Sequence, residues 1–201
     1  MSKFVEDALK RVEMSEFLVD DEQNPRILEV RNAVLLYTNF EGHPNSFGND
    51  AKNFNIVISQ KMKEQIENGY LGGLKVNIHK TATKNPDDPV LYFVNVKVNM
   101  MNKYPPIVTL FTDYNGRKSK NALDNVTIAC LDRIDMARCD VKLNIKESVK
   151  TRPGWAIFYL RQLNCIQYKT PDFDGAYEEW DDPLDPTAGV GLAPIVLDEE
   201  K

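Results

Sequence analysis

Hydrophobic positions recur at every second residue along most of this chain. The clearest case is residues 90–100, where valines alternate with aromatic, amide and lysine residues. Residues 74–79 and 141–145 alternate in the same way. Because successive side chains of a strand point to opposite faces, this period indicates strands with one buried face and one exposed face.

About seven strands and two short helices are predicted. Helical spacing predicts helices over residues 60–68, ended by Gly69, and over residues 123–134. The predicted strands cover residues 27–37 (one long strand or a bulged pair), 53–59, 74–79, 90–100, 107–114, 141–145 and 155–168. Short strands separated by turn signals favour a mainly β fold, specifically a partly open antiparallel barrel like the oligonucleotide-binding (OB) fold.

Charge divides the chain into three parts. Residues 1–24 hold three Lys/Arg and seven Asp/Glu, residues 25–170 hold 21 and 13, and residues 171–201 hold one and ten. Helical spacing over residues 4–18 predicts an N-terminal helical arm. The acidic composition after Pro171 predicts a disordered tail, which leaves residues 25–170 as the folded domain.

The predicted domain carries a net charge of +8, although the whole chain carries −5. A body of this charge attracts polyanions such as nucleic acids. The alternative is that scattered lysines only keep the domain soluble.

Residues typical of catalysis or metal binding do not occur in recognisable patterns. His43 and His79 are far apart, and the three cysteines, Cys130, Cys139 and Cys165, lack the spacing of a metal site. We found no phosphate-binding glycine loop and no nucleophile elbow. The sequence therefore predicts a protein that binds rather than catalyses, without cofactor or metal. A metal-dependent nuclease built from scattered carboxylates is the enzymatic alternative.

The location follows from what the chain lacks. There is no secretory h-region at the N-terminus and no apolar run long enough to span a membrane. The cysteines are expected to be buried free thiols in a reducing compartment. We therefore expect a cytoplasmic protein without a membrane partner.

One aromatic residue lies on the polar side of an alternating strand. Phe93 shares its predicted face with Lys97 and two asparagines, and such a face suits a single strand, because bases stack on rings while ammonium groups meet phosphates. The alternative is an edge residue covered by the arm or by a dimer partner. Three loops and a later strand add further candidates, although Arg117–Lys120 also fits an ordinary solvated turn. The candidate nucleic-acid-binding residues are Phe40, Phe47, Lys52, Phe93, Lys97, Lys103, Tyr104, Arg117, Lys118, Lys120, Lys142, Lys146 and Arg152.

The order of these motifs resembles phage-type single-stranded DNA-binding proteins with an OB fold. The resemblance covers residues 26–169 and rests on segments 27–59, 90–98, 105–108, 116–118, 139–145 and 155–168. It implies a non-enzymatic accessory of replication or recombination that coats single strands. The chain ends in Asp198-Glu199-Glu200-Lys201 rather than in the terminal Phe of bacterial acidic tails, so the resemblance does not extend to a bacterial-type tail receptor.

These observations predict a single-stranded DNA-binding protein without sequence preference. Its acidic tail would weakly occupy the basic groove and recruit replication or recombination proteins, and an oligomer is possible. If the protein is of phage origin, its location is the host cytoplasm. The alternative from another class is a structural or assembly protein of a virion, whose β-domain packs against neighbours through the same aromatic residues.

Overall fold

A computed structural model describes residues 3–21, 23–44, 51–82, 89–114, 117–149 and 152–167, all within one unit, Met1–Lys169. The predicted tail, residues 171–201, lies outside the described residues. In these ranges the helices are α1 (Lys3–Glu13), α2 (Gln60–Glu67) and a 3₁₀ helix (Thr127–Asp132). The strands are β1 (Glu16–Val19), β2 (Ile27–Arg31), β3 (Leu35–Asn39), β4 (Asn53–Ile58), β5 (Ile78–Lys80), β6 (Tyr92–Lys97), β7 (Ile107–Tyr114), β8 (Arg117–Leu123), β9 (Met136–Glu147) and β10 (Ala156–Gln167).

The strands form one sheet whose main path runs β1-β2-β9-β10-β6-β4-β3. Most neighbours are antiparallel, but β10 runs parallel to both β6 and β7. Among the described residues no strand pairing joins β1 to β3, so the sheet stays unclosed. The predicted mainly β fold with a partly open, largely antiparallel sheet is confirmed, and the two parallel pairs of β10 are a detail that the sequence does not show.

Strand β10 divides the sheet into two parts. Its first half pairs with β6 at Phe158 and Tyr159, and its second half pairs with β7 from Gln162 to Ile166. A register shift against β9 lies between these halves, at Leu160 and Gln162. The β7–β8 hairpin is therefore attached to the second half of β10, away from β6.

Helix α2 forms as the sequence predicts. The Ser59 hydroxyl accepts a hydrogen bond from the Met62 N–H at 3.1 Å, which satisfies one of the free donors in the first turn. Met62 and Ile66 are buried one turn apart, and Gly69 follows the end with a φ of 93°. Glycine adopts this left-handed conformation without strain, which is why the helix ends there.

The segment predicted over residues 27–37 is two strands rather than one. Asn32 lies between β2 and β3 with a φ of 52°. Its N–H donates a 2.7 Å hydrogen bond to the buried carboxylate of Asp140 on β9. This bond holds the turn that sends β3 to the far end of the sheet, beside β4.

The N-terminal segment belongs to the folded body rather than forming a separate arm. Helix α1 ends at Glu13, and β1 follows and pairs with β2. Ala8 and Val12 are buried against Val34, Leu36 and Val57, in a cluster distinct from the main core. Burial of these side chains stabilises α1 on the sheet.

The main core lies on one face of the sheet. Val94 and Val96 of β6 point into it with Leu143 and Leu163, whereas Phe93, Asn95 and Lys97 point away. We call the opposite side of β6, β9 and the first half of β10 the outer face. The predicted alternation of residues 90–100 is thus present in the structure, and it places Phe93 and Lys97 on the outer face.

The three cysteines are free thiols, and two of them meet across the β9–β10 ladder. The Sγ atoms of Cys139 and Cys165 are 3.4 Å apart in the core. Burial raises the pKa of the Cys165 thiol, and the neighbouring Cys139 acts in the same direction. This thiol therefore stays protonated and unreactive at neutral pH.

Candidate nucleic-acid interface

A tyrosine ring stands between two lysines on the outer face. Tyr159 of β10 is directly opposite Lys97 of β6 and Asn144 of β9. The ring centroid is 6.0 Å from the Lys97 Nζ and 5.3 Å from the Lys146 Nζ. These distances allow cation–π contacts, which orient both ammonium groups around one ring.

Neither lysine is neutralised within the part of the chain that the structure describes. Lys97 and Lys146 are exposed, and no described carboxylate lies within ion-pair distance of either ammonium group. Their charge is therefore free to meet an anion from solvent. A ring with two cations close to it is suited to a nucleotide, whose base is flat and whose phosphate is negative.

A groove of about 250 Å³ continues this face toward the turn between β9 and β10. We call it the β6–β10 groove, and its walls include His79, Asn95, Lys97, Arg152, Trp155 and Ile157. The Arg152 guanidinium lies 5.6 Å from the centre of the Trp155 ring. The groove thus repeats the combination of an aromatic ring with a cation.

Three aromatic rings form a cluster beside the groove. Phe93 and His79 stand opposite each other on β6 and β5, with centroids 5.5 Å apart and an interplanar angle of 16°. Tyr37 meets Phe93 edge-on at 5.5 Å, and 62% of its surface is exposed. Tyr37 has a φ of 49°, a strained conformation for a residue with a side chain. A polar contact, 2.9 Å between the Asn77 amide nitrogen and His79 Nε2, helps to fix the imidazole.

Five of the predicted residues lie elsewhere. Lys103 and Tyr104 contact each other at 5.4 Å in the loop between β6 and β7, where both are exposed. Residues 117–120 are predicted as a loop but form the start of β8, because they pair with the last residues of β7. Lys118 and Lys120 are exposed on this hairpin, and the side chain of Arg117 lies outside the described residues. The hairpin joins the second half of β10, so these cations are not part of the groove walls.

Two predicted lysines have partners within the protein. The Lys142 ammonium lies 3.2 Å from a Glu29 carboxylate oxygen, and Lys142 is only half-buried. Lys52 donates hydrogen bonds to the carbonyl oxygens of Phe40 and Glu41, which ties the residue before β4 to the residues after β3. Lys142 therefore shares the Glu29 carboxylate with Arg31, and Lys52 has a structural role.

Phe40 is a correction to the sequence prediction. The side chain is fully buried and packs on Phe54 at 5.3 Å, so no base can reach it. Phe47, the other aromatic candidate predicted in this loop, lies outside the described residues.

Glu41, the residue after Phe40, carries a negative charge. The hydrogen bond from Arg133 lowers the pKa of the Glu41 carboxyl, with a smaller contribution from His43. Among the described residues after β3, Glu41 therefore offers a carboxylate, which a phosphate would avoid.

Four functional candidates were missed by the sequence reasoning: Tyr37, His79, Trp155 and Tyr159. The alternation over residues 74–79 already placed His79 on a polar face with Lys75 and Asn77. Tyr159 gave no such signal, because it lies in a nearly continuous apolar run and the register shift after Leu160 disturbs the period.

Metal chemistry finds no support in the described ranges. No group of three or more His, Cys, Asp or Glu side chains there is close enough to hold an ion. Among these residues, too, no helix is long and apolar enough to cross a lipid bilayer.

Among the described residues the sheet is open and carries aromatic rings and exposed lysines on one face, an arrangement typical of β-proteins that bind single-stranded nucleic acid. The model of the phage ssDNA-binding domain family matches residues 20–177. The protein belongs to this family of phage single-stranded DNA-binding domains.

Solved structures of the single-stranded DNA-binding protein from bacteriophage Enc34 are similar to this chain. The C-terminal truncation of that protein has a TM-score of 0.44 and 12% identity, covering 78% of this chain and 97% of the other. The same phage protein in complex with ssDNA has a TM-score of 0.44 and 12% identity, covering 78% and 98%. Among curated proteins, none matches the chain.

Proposed function

We propose that the protein coats single-stranded DNA without sequence preference, using the outer face and the β6–β10 groove. Bases stack on the aromatic rings of the face, and phosphates contact Lys97, Lys146 and Arg152. Every base has a flat face and every nucleotide a phosphate, so this mode of binding tolerates any sequence.

The observation that carries the proposal is the Tyr159 ring with Lys97 and Lys146 around it. Three adjacent strands bring these side chains together, and both ammonium groups lack a carboxylate partner in the described chain. The cluster of Tyr37, Phe93 and His79 extends the stacking surface on the same side of the sheet.

Titration of the full-length protein with labelled oligo-dT at several salt concentrations tests this mode of binding. A phosphate-driven contact predicts that log K falls linearly with log salt, with a slope of about −0.7 per phosphate on single strands. Oligo-dT and mixed-sequence oligonucleotides should bind with similar affinity, and duplex DNA should bind more weakly. Affinity that is independent of salt would contradict the proposal.

The biological role that fits this binding is an accessory function in DNA replication or recombination in the cytoplasm of the host. The protein would act by binding, without catalysis, as the lack of recognisable catalytic motifs suggests. The acidic residues 171–201 supply the means to recruit replication or recombination proteins. Co-purification of host or phage replication proteins by the full chain, and its loss from a chain ending at Thr170, would support that recruitment.

A further inference from the structure

A second groove lies directly behind one wall of the first. It measures about 590 Å³, and its walls include Lys63, Glu67, Lys75, Lys80, Tyr92 and Trp155. We call it the β5–α2 groove. Val76, Asn77 and Trp155 line both grooves, so the segment from Lys75 to β5 is the partition between them.

The partition is held in place by backbone bonds. The Lys75 N–H donates to the Gly154 carbonyl at 2.9 Å, and the Ala156 N–H donates to the Lys75 carbonyl at 2.8 Å. These bonds satisfy the backbone of Lys75, and its side chain stays exposed. Trp155, next to both bonds, is thereby fixed as a shared wall of the two grooves.

The β5–α2 groove repeats the chemistry of the first groove. The Lys63 ammonium lies 5.3 Å from the centre of the Tyr92 ring, which again places a cation over an aromatic face. Glu67 is the carboxylate among the lining residues, and it is paired with Lys63 at 3.0 Å. Lys75 and Lys80 are exposed, and neither forms an ion pair with any residue that the structure describes.

We propose that the β5–α2 groove is a second subsite for single-stranded DNA, so that one strand crosses the partition at Trp155 and continues along Lys75 and Lys80. This proposal rests on the proposed function, because it extends the path of the same ligand. A strand in the first groove has its phosphates near Arg152, beside Trp155. Lys75 lies on the partition itself, lines the second groove and forms no ion pair with any described residue. The second groove therefore adds phosphate contacts that only a longer strand can reach.

The test compares three full-length proteins: the wild type, the double variant K75Q/K80Q, and a matched control, K10Q/K61Q. Lys10 and Lys61 are also exposed, and neither lines either groove, so both variants lose two positive charges. Each protein is titrated with oligo-dT of about 4 and about 16 nucleotides, the range covered by one OB fold. The salt dependence of binding is measured for each length.

We expect K75Q/K80Q to reduce the salt slope on the longer oligonucleotide by about 1.4, since each lost phosphate contact removes about 0.7. On the shorter oligonucleotide its affinity should stay within twofold of the wild type, and the control should match the wild type on both. Identical behaviour of both variants on the longer strand would overturn the second subsite while leaving the proposed function intact. Equal losses of affinity for both oligonucleotide lengths would also overturn the second subsite, because they would indicate that the two lysines act only through the overall electrostatic field of the protein. Failure of the wild type to bind either length would remove the proposed function itself.

Discussion

The imidazole of His79 stacks on the ring of Phe93, with the centroids 5.5 Å apart, because β5 and β6 place the two residues directly opposite. His79 covers one face of Phe93, and Tyr37 contacts the same ring in an edge geometry. Phe93 is therefore the centre of a preformed stacking surface rather than an isolated ring. A base that lands on this cluster meets side chains already held in position, which lowers the entropy cost of binding.

The Tyr159 ring should contribute directly to affinity for single strands. We expect Tyr159→Leu to weaken binding of oligo-dT roughly 5- to 150-fold, since a stacked base is worth about 1–3 kcal/mol. Tyr159→Phe keeps the ring and should bind within twofold of the wild type. Fluorescence anisotropy with a labelled oligonucleotide measures both variants. Equal affinity of the leucine and phenylalanine variants would exclude stacking at this position.

The two lysines beside Tyr159 should account for phosphate contacts. We expect the double variant K97Q/K146Q to reduce the salt slope on oligo-dT by about 1.4. The reason is that both ammonium groups lack a described carboxylate partner and are available to DNA. Lys61→Gln, on the exposed side of α2, serves as the control and should leave the slope unchanged. An unchanged slope in the double variant would mean that these lysines only pack on the tyrosine.

Glu29 should weaken DNA binding by holding Lys142. The Glu29 carboxylate lies 3.2 Å from the Lys142 ammonium and 2.9 Å from the Arg31 guanidinium. We expect Glu29→Gln to raise affinity roughly two- to fivefold, the range of a partly exposed ion pair of up to about 1 kcal/mol. Glu13→Gln makes the same change of charge at the end of α1, and it should have a smaller effect. Tighter binding by both variants alike would point to net charge alone.

Phe40 should matter for stability and not for DNA. We expect Phe40→Ala to lower the free energy of unfolding by about 3–5 kcal/mol, the usual cost of removing a buried phenylalanine. Urea denaturation measures this change. Tyr104→Ala, at a ring that is 78% exposed, should change stability by less than about 0.5 kcal/mol. Affinity of the folded Phe40→Ala protein for oligo-dT should equal that of the wild type, and a large loss of affinity would return Phe40 to the binding site.

The sequence predicts the elements that carry strong local signals. Helix α2 has a serine cap and a terminal glycine, and β6 has an uninterrupted alternation, so both appear where expected. Helix α1 ends earlier than its period suggests, because Phe17 and Leu18 pair with β2, a contact that no local pattern contains. The mainly β fold was therefore predictable, and the boundary between helix and strand was not.

The candidate site shows the same division between local and distant causes. Phe93 and Lys97 were found because their strand alternates cleanly, and they lie on the outer face. Lys142 alternates just as well, but its ammonium group pairs with Glu29 of β2, a strand that is far away in the sequence and adjacent in the sheet. Phe40 follows the end of β3 and looks like a loop residue, yet Phe54 of the next strand buries it. Whether Lys142 and Phe40 are available to a ligand depends on contacts between strands, and such contacts cannot be read from a single sequence.

Helix α1 has a practical consequence for anyone who shortens this protein. Ala8 and Val12 cover Leu36, Val57 and Leu91, which are otherwise apolar surface on the sheet. Removal of residues 1–24 would expose this apolar surface to solvent, and exposed apolar patches promote self-association. The resulting aggregates would scatter light and shift gels much as a cooperative filament on DNA does. Assembly of this protein on DNA can therefore be attributed to the DNA complex only when the N-terminal helix is present.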